Sequence, residues 1–471
     1  MIFEKRQYQK ECVQAIQEYL SKPKKQKPSL VIAPVAAGKS LLIAWSIEHS
    51  TDKVLVLQPS VELLKQNYKK MISLGVEAKI YSASMKSKEI GHITYATIGS
   101  IINRLDEFIE AGVKKIIIDE VHLYSWKKEN VAKGKKSGML RQVVDKLGAT
   151  HILGFSASPI FLRPCGSFGD SYSELKFITR CIPKLFTEVL YNIPISEMVE
   201  NEFWKKLEYK SFNFKNKFLE LNSNKSDYTE KSMRDWYMGN KIQEDIIKCI
   251  NACLKNGKKS ILVFLPSVQA CLDLEKLLPN SKAVYGDMPK EDREIAVEGF
   301  LDGTFSVVFN MEVLTTGFDF ESLDTLICAR PTNSLAKYYQ MIGRITRLYD
   351  VIGTIIDLVG LVEKFGRIED LNVDNIEGYG WGMFSKNILL TGVPMDGRMG
   401  IITKESLFKP TIKKEKLPKG IKKEPVFKFG NHAYKPLKDI PKSYLQWSLN
   451  NIDFTTSVEK KKLKEAILKY I

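Results

Sequence analysis

APVAAGKS, residues 33–40, matches the phosphate-binding pattern G-x-x-x-x-G-K-[ST] at every fixed position except the first, where the chain has Ala33. The preceding SLVIAP is a short apolar run, and the following SLLIAWSIEHS has the apolar spacing of a helix. Strand, loop and helix in this order are what a phosphate-binding loop requires. Lys39 is predicted to reach the β/γ-phosphates and the Ser40 hydroxyl to bind Mg²⁺. The loop residues predicted to surround the nucleotide are Pro34, Val35, Ala36, Ala37 and Gly38.

The alternation of strand and helix continues beyond this loop. Strand-like runs recur at KVLVLQP, AKIYSA, HITYATI, KIIIDE and HILGFSA, with helical patterns between most of them. A second series lies between Ser260 and Gly360, with SILVFLP, KAVYGD, FSVVFNM, DTLICAR and GTIIDLVG. Such repeats predict parallel sheets covered by helices, so the expected fold class is α/β with two domains in tandem. The expected segments are a first domain at 1–165, a connecting region at 166–240, a second domain at 241–365, an accessory segment at 366–402, a basic linker at 403–425 and a small C-terminal helical module at 426–471.

The chain is basic, with a formal net charge of +16 and a pI near 9.2. This charge favours a polyanionic partner, because Lys and Arg release condensed counterions when they neutralise phosphates. The linker at 403–425 alone holds eight Lys, three Glu and three Pro, which is typical of an arm that contacts a polyanion or of a solvated spacer. The seven cysteines form no C-x-x-C pair, so neither disulfides nor structural zinc is expected. Without an apolar leader or a membrane-length run, the protein is expected to be cytoplasmic and away from membranes.

Two further stretches carry residue types that phosphate chemistry needs. KKIIIDEVH places Asp119 and Glu120 after an apolar strand, where one carboxylate can hold Mg²⁺ and the next can act as a base for water. QMIGRITR places Arg344 and Arg347 near the start of a predicted helix, on one face. Only 12 of the 71 basic residues are Arg, and a planar cationic fork suits the charge that develops during phosphoryl transfer.

These stretches, in this order, resemble the motifs of the superfamily 2 helicases, in which Ala commonly replaces the first loop glycine. RQYQ is similar to the Q motif that reads adenine, APVAAGKS to motif I, PSVELLKQN to motif Ia, ATIGS to Ib, DEVH to II, SAS to III, LVFLPS to IV, TTGFD to V and QMIGRITR to VI. The resemblance implies two RecA-like domains with ATP between them. It adds five residues to the nucleotide site: Arg6 and Gln9 at adenine, and Gly317, Asp319 and Gln340 from the second domain.

The same resemblance implies a nucleic-acid track across both domains. The track residues are Pro59, Ser60, Gln66, Thr97, Gly99, Thr315 and Thr316, contacting mainly phosphates. A link between this track and the ATP cleft is expected from His122, Ser156 and Ser158.

Within the superfamily, MIFEKRQYQKE, VLTTGFD, RPTNS and YQMIGRITRL are similar to stretches of the bacterial RadD-type repair helicases. That group carries a cysteine-rich metal module after its second domain, whereas residues 365–402 here contain no cysteine. The tail FKFGNHAYKPLKDIPKSYLQWSL, residues 427–449, is similar to a small module of some exonuclease X-type proteins. Matching residues are Phe429, Gly430, Lys435, Pro436, Leu437, Tyr444, Leu445 and Trp447.

The resulting functional expectation is an ATP- and Mg²⁺-dependent DNA helicase or translocase, monomeric, that acts on single-stranded, forked or junction DNA in repair or recombination. Candidate protein partners are a single-strand-binding protein and a recombinase. Three alternatives use the same residues: an RNA helicase, a nucleic-acid clamp that does not unwind, and the motor of a restriction-type complex.

Overall fold

The structure is a computed structural model of the 471-residue chain. It describes residues 4–125, 138–165, 172–212, 214, 216–223, 227–315, 320–347, 350–395, 399–407, 436–451 and 458–470. The chain divides into two compact units, Met1–Phe408 and Lys409–Ile471. Among the described helices, none combines the length and the apolar content that crossing a membrane demands.

Strands and helices alternate through most of the first unit. The strands are β1 (Ser29–Ile32), β2 (Lys53–Gln58), β3 (Lys79–Ser82), β4 (Ser87–Lys88), β5 (Ile93–Thr97), β6 (Val113–Ile118), β7 (His151–Ser156), β8 (Ile160–Cys165), β9 (Tyr172–Phe177), β10 (Glu188–Asn192), β11 (Leu207–Ser211), β12 (Ile261–Phe264), β13 (Ser281–Tyr285), β14 (Val307–Met311), β15 (Thr325–Cys328), β16 (Gly353–Asp357), β17 (Leu371–Ile376), β18 (Gly380–Ser385) and β19 (Ile388–Leu389). The helices are α1 (Gln7–Ser21), α2 (Lys39–Ile47), α3 (Val61–Ser73), α4 (Ile98–Ile101), α5 (Leu105–Glu110), α6 (Met139–Leu147), α7 (Ile195–Glu200), α8 (Glu230–Gly239), α9 (Ile242–Lys255), α10 (Val268–Leu277), α11 (Lys290–Leu301), α12 (Leu335–Ile342), α13 (Leu361–Phe365), α14 (Lys404–Leu407), α15 (Lys442–Asn451) and α16 (Val458–Ile467).

Two parallel sheets form the framework. The first has the order β10-β1-β7-β6-β2-β5-β3-β4 and is parallel except for β4. The second has the order β11-β16-β15-β12-β14-β13 and is parallel throughout. The central strands are buried on both faces, which is why they are continuous apolar runs in the sequence. The predicted α/β class with two tandem domains is confirmed.

The region predicted as a connection, 166–240, supplies one strand to each sheet. β10 pairs with β1 in the first sheet, and β11 pairs with β16 in the second. Both are edge strands, partly exposed along their lengths, so their sequences lack the apolar runs that mark the central strands. The sheets therefore extend past the boundaries that sequence patterning places at 165 and 241.

The accessory segment, 366–402, forms the antiparallel sheet β17-β18-β19. This sheet contacts the β8–β9 hairpin of the first domain, because Gly392 N donates to Leu175 O at 2.7 Å and the rings of Phe177 and Trp381 stack 6.4 Å apart. The segment that follows the second domain in sequence therefore packs back on the first.

The second unit is described from 436 to 451 and from 458 to 470. Its helices α15 and α16 share a small apolar core made of Leu437, Ile440, Leu445, Leu463 and Ile467. This agrees with the predicted helical module. Most of the basic linker, together with Phe429, Gly430 and Lys435, lies outside the described residues.

Candidate functional site

The loop after β1 has the backbone of an anion-binding turn. Ala36 and Gly38 adopt left-handed conformations, with φ of 62° and 80°. Such turns form concave nests of backbone N–H groups. Two features favour glycine at position 38: the left-handed backbone, and the lack of room for a Cβ, which would lie 2.8 Å from Gln9 Nε2. Ala33 needs no such freedom, because it continues the strand and its N–H donates to Ser156 O at 3.1 Å.

Helix α1 holds this loop through side-chain hydrogen bonds. Tyr8 Oη and Gln9 Nε2 both donate to Ala37 O, each at 3.1 Å. Gln9 Oε1 also accepts from Arg6 N at 3.0 Å, so both ends of its amide are engaged. The Arg6 guanidinium lies 3.8 Å above the Phe203 ring. The structure thus places Arg6 and Gln9 beside the loop, and their contact with adenine stays a prediction.

One ammonium group and two carboxylates form the centre of the site. Lys39 Nζ lies 3.6 Å from Asp119 Oδ1 and makes a shorter ion pair with Glu120 Oε1. Burial opposes the charge on Glu120, but Lys39 outweighs it and holds the pKa of that carboxyl below its usual value. Burial likewise opposes the charge on Lys39, and the two carboxylates outweigh it and raise its pKa. For Asp119, burial dominates and raises the pKa.

The two predicted Mg²⁺ ligands, Ser40 and Asp119, are joined by a residue that sequence reasoning missed. Ser40 Oγ donates to Asn67 Oδ1 at 2.5 Å, and Asn67 Nδ2 donates to Asp119 Oδ2 at 3.0 Å. The signal for Asn67 was available, since it lies between Leu64 and Met71 on the buried stripe of α3. A hydroxyl and a carboxylate are hard oxygen donors, so this pair fits Mg²⁺.

The second domain brings both predicted arginines to this centre. Arg344 and Arg347 line the same cavity as Lys39, Ser40 and Glu120. Their predicted place near a helix start is wrong, because α12 ends at Ile342 and both residues follow it. After the helix, Arg344 N donates to Met341 O and Ile345 N to Ile342 O, so the chain tightens into a turn.

Contact between the domains is close at the loop. A Cβ on Gly343 would lie 2.7 Å from Val35 Cγ1 and 2.9 Å from Tyr339 O. Trp204, in the connecting region, donates from Nε1 to Val35 O at 2.9 Å. Val35 is therefore held from both the second domain and the connection.

The predicted coupling residues form a hydrogen-bonded chain. Gln340 Nε2 lies 2.9 Å from His122 Nε2, and His122 Nδ1 lies 2.8 Å from Ser156 Oγ, which also accepts from Ser158 N. Burial lowers the pKa of His122 to about 4, so the ring is neutral, accepting at Nε2 and donating at Nδ1. Gln340 connects the second domain to this chain because its amide is directed at His122, and its predicted contact with nucleotide stays a prediction.

Helix α3 contributes more to the nucleotide cavity than predicted. Gln66, expected on the nucleic-acid track, lines this cavity together with Leu63, Asn67 and Lys70. The reason is helical geometry. Gln66 and Asn67 follow Leu63 by three and four residues and precede Lys70 by four and three, so all four lie on one side of the helix.

The other track residues lie at strand ends of the two domains. Pro59 joins β2 to α3. Ser60 caps the N-terminus of α3, because its side chain accepts a hydrogen bond from Leu63 N. Thr97 ends β5 and its hydroxyl shares a hydrogen bond with Ser100, while Gly99 faces open space in α4. In the second domain, Thr315 ends a short 3₁₀ turn, and Thr316, Gly317 and Asp319 lie outside the described residues.

Two protein families match the chain. Residues 2–161 match the res subunit of type III restriction enzymes, and residues 242–349 match the helicase conserved C-terminal domain. The chain belongs to helicase superfamily 2. Each match contains one half of the cavity described above, with Lys39 and Glu120 in the first and Arg344 and Arg347 in the second.

Relatives of this superfamily 2 chain include a protein described as ATP-dependent helicase IRC3 of Saccharomyces cerevisiae, 25% identical over 59% of this chain and 38% of that protein. A 51.5 kDa protein of a Lactococcus phage is 25% identical over 68% of this chain and 62% of its own length. The chain thus spans less than two thirds of these relatives.

Solved structures share the fold. A fragment assigned as the HsdR subunit of a type I restriction enzyme from Vibrio vulnificus superposes with a TM-score of 0.53, at 17% identity, over 77% of this chain and 65% of the fragment. The type ISP restriction-modification enzyme LlaBIII, bound to DNA, superposes with a TM-score of 0.52, at 14% identity, over 76% of this chain and 28% of that one.

Gly343→Ala is expected to destabilise the contact between Val35 and the second domain. The φ of Gly343 is −59°, so alanine suits the backbone, and at an unhindered site the change would stabilise by about 0.4–1 kcal/mol. The clash with Val35 reverses this sign, at a cost of about 1–3 kcal/mol. Melting temperatures measure the effect against Gly286→Ala, where an added Cβ meets nothing within 4 Å. Equal or higher stability than this control would contradict the close contact.

Proposed function

We propose that this superfamily 2 protein is a nucleic-acid-dependent ATPase that works as a DNA helicase or translocase. One observation carries the proposal: Lys39 and Glu120 of the first domain and Arg344 of the second line a single cavity. A nucleotide there would touch both domains, so its hydrolysis changes which interdomain geometry is preferred. Such a cycle moves a nucleic acid that is gripped by both domains.

Each side chain of the centre has a distinct role in this proposal. Lys39 exchanges its carboxylate partners for the β/γ-phosphates, while Ser40 and Asp119 hold Mg²⁺. When bound, Mg²⁺ neutralises charge on the phosphate oxygens. Glu120 lines the same cavity and is the base that accepts a proton from the attacking water. Arg344 and Arg347 stabilise the charge that develops on the transferred phosphoryl group.

The proposed substrate is single-stranded or branched DNA, unwound or branch-migrated in repair or recombination as in RadD-type helicases. The proposed track is Pro59, Ser60, Thr97, Gly99, Thr315 and Thr316, with a single-strand-binding protein or a recombinase as candidate partners. The net charge of +16 supports a polyanion of low sequence preference. RNA is the alternative nucleic acid, and a clamp that hydrolyses ATP without unwinding is the alternative mode.

The match of residues 2–161 to a restriction-enzyme subunit supports a second candidate function. In it, the same ATPase translocates on DNA while a separate partner cuts. Purified protein with a forked duplex separates the candidates, since a helicase displaces the labelled strand unaided. The same preparation tests ATP hydrolysis with single-stranded DNA, forked DNA, four-way junctions and RNA. Stimulation by none of these would refute the proposal.

Lys39→Ala and Glu120→Gln are expected to fail differently. Lys39→Ala removes the phosphate-binding cation, so both nucleotide affinity and hydrolysis fall. Glu120→Gln keeps this cation and removes the base, so turnover falls by about 10² to 10⁴ while nucleotide remains bound. Equilibrium binding of a fluorescent ATP analogue, alongside steady-state hydrolysis, measures the two effects. Weaker nucleotide binding by Glu120→Gln than by Lys39→Ala would reverse the assigned roles.

Removing Lys409–Ile471 is expected to weaken DNA binding without stopping hydrolysis. This second unit holds sixteen Lys and six acidic residues, a net +10, yet the nucleotide cavity lies entirely in the first unit. Each phosphate contact that is lost lowers the slope of log K against log[salt] by about 0.9. A salt titration of fork binding by full-length and shortened protein measures the slope. An unchanged slope and affinity would mean that the tail charge is only solvated.

A further inference from the structure

Asn67 occupies an unusual position for its residue type. It lies in the middle of α3, is 3% exposed, and uses its whole side-chain amide in hydrogen bonds. Its Oδ1 accepts from Ser40 Oγ, and its Nδ2 donates to both Asp119 Oδ2 and Gln58 Oε1. Removing the Asn67 amide would leave its buried hydrogen-bond partners unsatisfied, which costs more free energy than a hydrogen bond contributes. Of the four side chains Ser40, Gln58, Asn67 and Asp119, Asn67 is the one that hydrogen-bonds to the other three.

Gln58 extends this network toward the predicted nucleic-acid track. It is the last residue of β2, fully buried, and its Oε1 accepts from Asn67 at 2.9 Å. The next two residues are Pro59 and Ser60, and Ser60 caps α3. Asn67 is thus attached to the Pro59–Ser60 segment twice, by the Gln58 side chain and by two turns of helix.

We propose that Asn67 is a positioning residue that couples nucleic-acid binding at Pro59–Ser60 to the placement of Ser40 and Asp119 in the nucleotide site. The inference rests on the proposed function, because it requires that both ligands bind. A shift of Pro59–Ser60 moves Gln58 and the start of α3, and Asn67 transfers the shift to the two Mg²⁺ ligands. Packed, hydrogen-bonded side chains of this kind carry energetic coupling between sites.

The geometry also explains why the residue is an amide. Ser40 Oγ needs an acceptor, whereas Asp119 Oδ2 and Gln58 Oε1 each need a donor. An amide offers one acceptor and two N–H donors, whereas a hydroxyl or a neutral imidazole offers only one donor. Aspartate at this position keeps the acceptor for Ser40, but it loses the donor and adds a like charge beside Asp119.

The experiment measures coupling as a ratio of affinities. Binding of a fluorescent, non-hydrolysable ATP analogue with Mg²⁺ is titrated with and without a saturating single-stranded oligothymidylate. The ratio of the two dissociation constants is the coupling, and oligothymidylate binding with and without nucleotide must give the same ratio. Asn67→Ala and Asn67→Asp are expected to bring the ratio about 2- to 30-fold closer to one. Asn251→Ala, on the exposed face of α9, is the matched control and leaves the ratio unchanged.

A purely structural role gives a different result. In that case the Asn67 variants melt at lower temperature or bind both ligands more weakly, while the ratio stays at the wild-type value, and the inference is overturned. A ratio of one in the wild-type protein also overturns the inference, because no binding is then coupled. Stimulation of ATP hydrolysis by the same oligothymidylate shows separately whether the proposed function stands.

Gln58→Ala approaches the same network from the strand and leaves the Ser40–Asn67 bond in place. If the two residues act in one route, the double variant loses no more coupling than the stronger single variant, because neighbouring residues in one network are non-additive. Fully additive losses would show two independent routes and overturn the role assigned to Gln58 and Asn67 together.

Discussion

The buried ion pair of Lys39 with Asp119 and Glu120 is the constraint on which the rest of this molecule depends. Three charged groups share a place with little water. Lys39 offsets the cost of burying the two carboxylates, and they offset the cost of burying Lys39. The parallel sheet makes this possible, since β1 and β6 both end at the same edge and deliver the loop and the carboxylates there. Helix α1 then holds the loop through Ala37 O, and Asn67 donates to Asp119.

The second domain adds two arginines to this centre. Arg344 and Arg347 reach it only because Gly343, lacking a Cβ, lets the end of α12 approach Val35. Gln340, one turn earlier, contacts His122 beside Glu120. In the proposed cycle, closing the cleft would bring the two arginines to the phosphates and Gln340 to His122 in one movement.

Sequence patterning predicted the features that follow from local chemistry. Central strands were found because burial on both faces leaves apolar runs. The phosphate-binding loop was found because its backbone requires a glycine, while phosphate and Mg²⁺ binding require the lysine and the hydroxyl that follow it. Edge strands β10 and β11 were missed, since half-exposed strands have mixed composition. The place of Gln66 in the cavity, the hydrogen bonds of Asn67 and the Gln340–His122 contact were not predicted, because they depend on which face of a helix meets another element. The apolar spacing of α3 marks Asn67 as buried, but which side chains it meets is tertiary information that a single sequence does not contain.

The sheet β17-β18-β19 determines which segments of the chain are held together. The β8–β9 hairpin begins two residues after Ser158 and so belongs to the first domain in sequence, yet its far strand bonds to the segment that follows the second. Backbone bonds and the Phe177–Trp381 stack make this hairpin a strap between the two halves. Any rotation of one half must either carry the hairpin with it or bend the chain just after Ser158. Contacts between the first domain and the segment that follows the second are thus not confined to the nucleotide cavity.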